Sequence, residues 1–169
     1  MIMIKVIAIW TQSIDGFIAK NADDDLSWGK SVDKQWFSKV TREIGVVVVG
    51  RKTAELIGKP LARRLNVVMT NSKLQMLNAE NLIFTNKKPG EILKELEQKG
   101  FKQVVIGGGA SIYRLWLKEK LVDEVWVSLQ PVIFGQGIKA IEEVGVKLEF
   151  LSQEAIGEGV VVMKYAVAY

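Results

Sequence analysis

The chain has 169 residues, 49% of them hydrophobic and 25% charged, enough for one compact domain, 1–169, with a substantial core. It contains no His and no Cys, which excludes imidazole catalysis, thiol nucleophiles and ordinary zinc sites and makes a borrowed cofactor the leading option for chemistry. The net charge of +4 is interleaved in sign, no window is apolar for long enough to span a bilayer, and no signal core is present. A cytoplasmic protein with no nucleic-acid face and no membrane segment is therefore expected.

Ile2 to Thr11 reads as a strand, central in its sheet because it is apolar on both faces. Ser13-Ile14-Asp15-Gly16 reads as a turn, Phe17 to Ala19 as a short extended piece, and Asn21 to Asp25 as an acidic loop ending at Leu26-Ser27-Trp28. That loop is either a cover over a site or an ordinary solvated connection. A helix follows Ser31, carries Trp36, Phe37 and Val40 on one side, and stops at Gly45. Val46 to Val49 is a buried strand closed by Gly50-Arg51-Lys52-Thr53, with a short helix from Ala54 to Ile57. Asn66 to Thr70 and Asn81 to Thr85 are further strands, and Pro89 to Lys99 is an amphipathic helix stopped by Gly100.

The stretch Val104-Val105-Ile106-Gly107-Gly108-Gly109-Ala110-Ser111-Ile112-Tyr113 is a β-branched strand broken by three glycines, with a helix from Ser111 to Lys120. Val122 to Val132 is a long strand, and Lys147 to Ser152 with Val160 to Ala168 form a closing antiparallel pair. Strands alternate with helices as far as Pro131 and then give way to strand pairing. The fold class is α/β, with a central, mostly parallel sheet and an antiparallel carboxyl-terminal edge.

Three strand ends carry anion-binding chemistry: Gly50-Arg51-Lys52-Thr53, Thr70-Asn71-Ser72 and Gly107-Gly108-Gly109. In a parallel sheet they fall on one edge, where such sheets bind ligands. Bare glycine backbone and a helix start can hold a phosphate, although three glycines alone also fit a tight turn. Gly29-Lys30-Ser31 imitates a P-loop ending, but Asp24 stands at the upstream glycine position and no strand precedes it. A dinucleotide fingerprint fails likewise, because Ile112 occupies the third glycine position. Asp33, in the first turn of its helix beside Trp36 and Phe37, either complements the helix dipole or holds a protonated, amidine-like heterocycle in a dry cleft. On pattern alone the first role is the commoner.

Taken in order, Trp28, Asp33-x-x-Trp36-Phe37-x-x-x-Thr41, Gly50-Arg51-Lys52-Thr53, Ile57-Gly58-Lys59-Pro60-Leu61, Arg64-x-Asn66-Val67-Val68 and Gly108-Gly109 with Tyr113 resemble dihydrofolate reductase. More broadly they resemble the group that includes the riboflavin-pathway reductase domain. The resemblance implies a single domain with helices on both faces of a twisted sheet, and NADPH-dependent reduction of 7,8-dihydrofolate. Asp33 would be the catalytic carboxylate, binding the 2-amino and N3 side of the pterin and promoting protonation at N5, with hydride reaching C6. Ile7, Phe37 and Ile57 would line the substrate pocket, Arg64 would grip the tail carboxylate, and Ser128 would stand in for a Thr hydrogen-bonded to Asp33. NADPH would be held by Ala8, Ile18, Gly50, Arg51, Lys52, Thr53, Thr70, Asn71 and Ser72. Gly107, Gly108, Gly109, Ala110, Ser111, Ile112 and Tyr113 would complete that site, and no metal is implied.

Some residues depart from that pattern. Gly107 stands where a bulky aliphatic residue is usual, so a looser pocket or a different ring is expected there. Ser13-Ile14-Asp15-Gly16-Phe17-Ile18-Ala19 and Pro131-Val132-Ile133-Phe134-Gly135-Gln136-Gly137 look more like the riboflavin branch, whose substrate is a ribosylaminopyrimidine. A non-catalytic nucleotide-binding module is the rival from another class. Val125, Trp126, Val127 and Leu129 near a sheet edge, with Trp116 adding exposed surface, suggest a homodimer.

Overall fold

A computed structural model of the chain describes residues 3–72 and 79–169. Its spine is an eight-stranded sheet in the order β5-β4-β3-β6-β1-β7-β10-β9. These strands are β1 (Lys5–Ser13), β3 (Val46–Gly50), β4 (Leu65–Met69), β5 (Leu82–Thr85), β6 (Gln103–Ile106), β7 (Glu124–Gln130), β9 (Lys147–Gly157) and β10 (Val160–Ala168). Strands β1 and β3 to β7 pair in parallel, whereas β10 runs antiparallel to β7 and β9 antiparallel to β10. The expected α/β class, parallel sheet and antiparallel carboxyl-terminal edge are all present. Ile2, where the sequence places the start of β1, lies outside the described residues.

Helices cover both faces. On one, Ile7, Ile9, Val47, Val49, Val68 and Val105 pack against Trp36, Phe37, Val40 and Ile44 of α1 (Ser31–Ile44) and Ala54 of α2 (Arg51–Ile57). On the other, Val6, Ala8, Val46, Val48, Val104 and Ile106 meet Ile92, Leu93 and Leu96 of α3 (Pro89–Gln98) and Tyr113, Trp116 and Leu117 of α4 (Ala110–Lys118). The period-2 alternation of the valine-rich strands feeds both layers at once. Gly45, at φ 89°, ends α1 in the left-handed region and donates its N–H to the Thr41 carbonyl.

Two expectations are corrected. Trp116 is wholly buried, its indole N–H directed at the Met69 sulfur 3.3 Å away, so it adds no exposed surface. Strand β7 is not at the sheet edge, because β10 and β9 lie outside it and Val125 and Val127 are buried. The exposed apolar residues of the edge are Leu148, Phe150 and Leu151 of β9. The carboxyl-terminal turn also contains a short strand, β8 (Ile138–Lys139), which pairs with β2 (Phe17–Ala19) in a second, two-stranded sheet. That pairing brings the two glycine-containing motifs at 13–19 and 131–137 together. Among the described residues no helix is long and apolar enough to cross a membrane.

Candidate active site

A cavity of about 560 Å³ opens at the carboxyl ends of β1, β3 and β6, under the loop that joins β2 to α1. Parallel topology brings these strand ends to one edge, and the order β3-β6-β1 sets the glycine turn after β6 between the other two. Residues from all three strand ends, from α1 and α2, and Asp25, Leu26, Trp28 and Gly29 of the loop share its wall. The acidic loop is thus a cover rather than a bare connection. Its own carboxylates fold it: Asp24 accepts from the Lys20 and Leu26 amides and the Trp28 indole, and Asp25 accepts from the Ser27 amide.

Asp33 is 5% exposed in the first turn of α1. Its Oδ2 accepts a 2.6 Å hydrogen bond from the Thr11 hydroxyl, and its Oδ1 has no partner among the described residues. A buried carboxylate oxygen without a donor is costly, and a ligand presenting N–H groups from the cavity would relieve that cost. Thr11 went unrecognised in the sequence, where Ser128 was expected to serve this carboxylate. Thr11 and Ser128 are register partners on adjacent parallel strands, so their side chains share the sheet face toward α1. The Ser128 hydroxyl instead accepts a 3.5 Å bond from Gln130, whose own Oε1 receives the Lys30 amide at the start of α1. A hydroxyl on the apolar Ile7-Ile9-Thr11 face of β1 was the available signal.

The same strand carries a second correction. Ile7 is 1% exposed in the layer beneath the cavity, and Ala8 lies on the opposite sheet face; neither lines the cavity. Ile9, Trp10 and Thr11 take those places, two residues further along. Phe37, Ile57 and Arg64 do line it, with Leu56, Leu61, Val47 and Val49 completing apolar walls. The Arg64 side chain is anchored by donating to the Ala62 and Ser38 carbonyls and the Thr41 hydroxyl. Burial, and then the neighbouring Arg42 guanidinium, lower its pKa from the ordinary arginine value. Asp33 and Thr41 are eight residues apart on one helix, a rise of about 12 Å, so the carboxylate and the anchored guanidinium face the cavity with that much length between them.

Opposite stand Ile18, Thr53, Gly107, Gly108, Gly109 and Tyr113, all on the cavity wall. Gly108 has φ 110°, and a Cβ there would lie 3.0 Å from the Tyr113 hydroxyl; the Gly108–Gly109 peptide is cis. The Tyr113 phenol, raised in pKa by burial, donates to the Ile9 carbonyl at 2.7 Å. Gly50 lies off the wall but stitches two strand ends together, donating its amide to the Gly108 carbonyl at 2.7 Å, and a Cβ on it would meet Ile112 at 2.8 Å. Ala110, Ser111 and Ile112 form the first turn of α4 behind the glycines; the Ile112 and Tyr113 amides both donate to the Gly109 carbonyl, at 3.0 and 3.1 Å, while those of Ala110 and Ser111 stand at the helix start, where no acceptor lies within the helix. Arg51 and Lys52 are exposed at the start of α2, and Arg51 donates to Glu55 and to the Ser72 hydroxyl at 2.8 Å. Thr70 and Ser72 close their own turn, with Asn71 exposed between them.

Gly107 does not loosen the pocket. A Cβ there would lie 3.1 Å from Val47, 3.2 Å from Val49 and 3.5 Å from Phe37, so neighbouring side chains already occupy the space. The two riboflavin-like motifs form a clasp. Asp15 accepts from the Ser13 hydroxyl and from the Phe134 and Gly135 amides, and Phe134 stands edge-on to Trp28 with ring centres 4.9 Å apart. The Ser13 hydroxyl and then these amides hold the Asp15 carboxyl below its usual range.

Comparison with known proteins gives this geometry a family. Residues 4–162 match the family model described as RibD C-terminal domain. A Bacillus subtilis relative, the uncharacterized protein YwjB, is 25% identical over 92% of this chain and 94% of its own. Among solved structures, dihydrofolate reductase from Enterococcus faecalis, complexed with NADP(H), superposes with a TM-score of 0.75 at 23% identity, covering 98% of this chain and 97% of that one. RibD from Acinetobacter baumannii superposes with a TM-score of 0.81 at 17% identity, covering 98% of this chain and 58% of that longer one. The fold is therefore the one shared by dihydrofolate reductase and the RibD reductase domain.

Proposed function

The chain belongs to the RibD C-terminal domain family, and from that premise we propose that it is an NADPH-dependent reductase whose substrate is 7,8-dihydrofolate. The observation that carries this reading is Asp33: a buried carboxylate, one oxygen held by Thr11 and the other unpartnered among the described residues, on the wall that also holds the glycine turn after β6. Its free Oδ1 would accept from the 2-amino and N3 groups of a pterin, fixing the ring and favouring its protonated form. Phe37, Ile57 and Leu61 exclude water around that ring, and Arg64 faces the tail carboxylate.

The residues present fit NADPH. The Gly108 and Gly109 backbone with the α4 start would take the pyrophosphate, and Thr53 stands beside both glycines, 3.5 Å from where their Cβ atoms would lie. Arg51, braced by Ser72, would take the adenosine phosphate, with Lys52, Thr70 and Asn71 around it. When bound, the cofactor supplies hydride. Ile18 and Tyr113 line the intervening wall and hold its shape.

One observation favours a second reading, reduction of a ribosylaminopyrimidine. The clasp joining Ser13 and Asp15 to Phe134 and Gly135 unites the two motifs that resemble the riboflavin branch. Steady-state NADPH oxidation with each substrate separates the two readings. Turnover of dihydrofolate at least tenfold faster in kcat/KM supports the first, the reverse ratio supports the second, and cofactor binding without turnover of either refutes both.

A further inference from the structure

Gln130, the last residue of β7, is wholly buried, so its polar end has no solvent to turn to. By alternation it shares a sheet face with Trp126 and Ser128, the face toward α1. Its Oε1 accepts the Lys30 amide at 3.1 Å, and its Nε2 donates to the Ser128 hydroxyl at 3.5 Å. A leucine would fill a similar volume without burying an amide, so packing alone does not account for a glutamine here.

Lys30 is the residue at which the cover loop ends and α1 begins, and its own side chain supplies no cap. Its carbonyl accepts the Asp33 and Lys34 amides, at 3.2 and 3.4 Å. A single residue therefore stands between the Gln130 oxygen and the turn that carries Asp33. Farther along α1, Trp36 lies against Trp126 with ring centres 6.2 Å apart. An apolar contact of that kind tolerates sliding and rotation, whereas a hydrogen bond to a fixed, buried oxygen is directional. Glu158, in the turn between β9 and β10, also accepts the Val32 amide at 3.3 Å, but it is exposed, where water can take its place.

We infer that Gln130 is a positioning residue for the candidate carboxylate. By holding Lys30 it sets the height and rotation of the first turn of α1, and so the place of Asp33 against Thr11 and the cavity. The inference rests on the reductase reading for its effect on turnover; the hold on α1 is measured without it.

The test uses two variants of the full chain, alone and combined. Gln130→Leu removes the acceptor, and Lys30→Pro removes the donor at a residue whose φ of −67° is the angle proline imposes. Tm, NADPH affinity, kcat with whichever substrate wild type turns over, and hydrogen exchange over residues 28–34 without ligand are compared. Each single variant is expected to lower kcat about tenfold or more, with NADPH affinity within about twofold of wild type. Each should also speed exchange over residues 28–34. The double variant should be no worse than the worse single, because both changes delete the same bond. A fall in Tm with kcat per folded molecule unchanged overturns the inference, as do kcat losses that multiply in the double variant. If Gln130→Leu does not fold, Lys30→Pro, at an exposed residue, decides alone. If wild type turns over neither substrate, the reductase reading falls and exchange decides the rest: faster rates over residues 28–34 uphold the hold of Gln130 on α1, and unchanged rates overturn it.

Discussion

Two aspartates show how differently the fold uses one functional group. Asp15 lies in the open and is fully engaged, accepting from the Ser13 hydroxyl and from the Phe134 and Gly135 amides. Asp33 is buried and half engaged, with Thr11 on one oxygen and, among the described residues, nothing on the other. A carboxylate whose acceptor sites are filled by its own chain serves architecture. One that is desolvated and left incomplete is reserved for a visitor, because burial without a partner persists only where something else is gained.

Breaking the incomplete carboxylate has the largest expected effect. Asp33→Asn should lower kcat by about a hundredfold or more while leaving NADPH affinity nearly unchanged. Its Tm should hold or rise, since a costly buried charge is removed. Full activity in this variant, measured by NADPH oxidation, would refute the assignment. Thr11→Val comes next. Stripping the donor from Oδ2 should destabilise the fold by about 1–3 kcal/mol in denaturant titration and reduce turnover, and Thr11→Ser should restore both.

Tyr113→Phe should cost about 1 kcal/mol, because the buried Ile9 carbonyl loses its donor. In wild type the folded phenol titrates above its unfolded value, so its stabilisation is complete below about pH 10 and declines as pH rises beyond it. A pH series of melting temperatures should show that alkaline decline in wild type and a smaller one in Tyr113→Phe. The smallest effect belongs to Asp15→Asn. Its folded pKa lies below the unfolded one, so its stabilisation is present above the ordinary carboxylate range and fades as pH falls through the folded value. The variant should therefore melt earlier at neutral pH, converge on wild type in acid, and keep kcat per folded molecule. Loss of kcat instead would show that the clasp reaches the chemistry through Trp28.

The layout of the fold was legible because hydrophobic period and glycine punctuation are local. Four valines closed by Gly50, and Val104 to Ile106 closed by three glycines, declare strands that end on a common edge. The register of β1 against the cavity was not legible. Ile7 and Ile9 are equivalent by alternation, and only the pairing of β1 with β6 and β7 decides which one reaches the rim. That Thr11 rather than Ser128 reaches Asp33 is hidden for the same reason, since the two are register partners and offer a hydroxyl to the same face. Gly107 misled because a missing side chain leaves no trace in sequence of the neighbours, here Val47 and Val49, that fill its volume. Two-residue β8 carries too little pattern to be seen before its partner is known.

The hydrogen bond from Gly50 to Gly108 reaches beyond local packing. It ties the turn bearing Arg51 to the turn bearing Gly109, so the spacing between them is set before any ligand arrives. A molecule with two anionic ends therefore meets a gauge of fixed width rather than two loops that must find one another. Its grip draws on rigidity already built into the sheet edge.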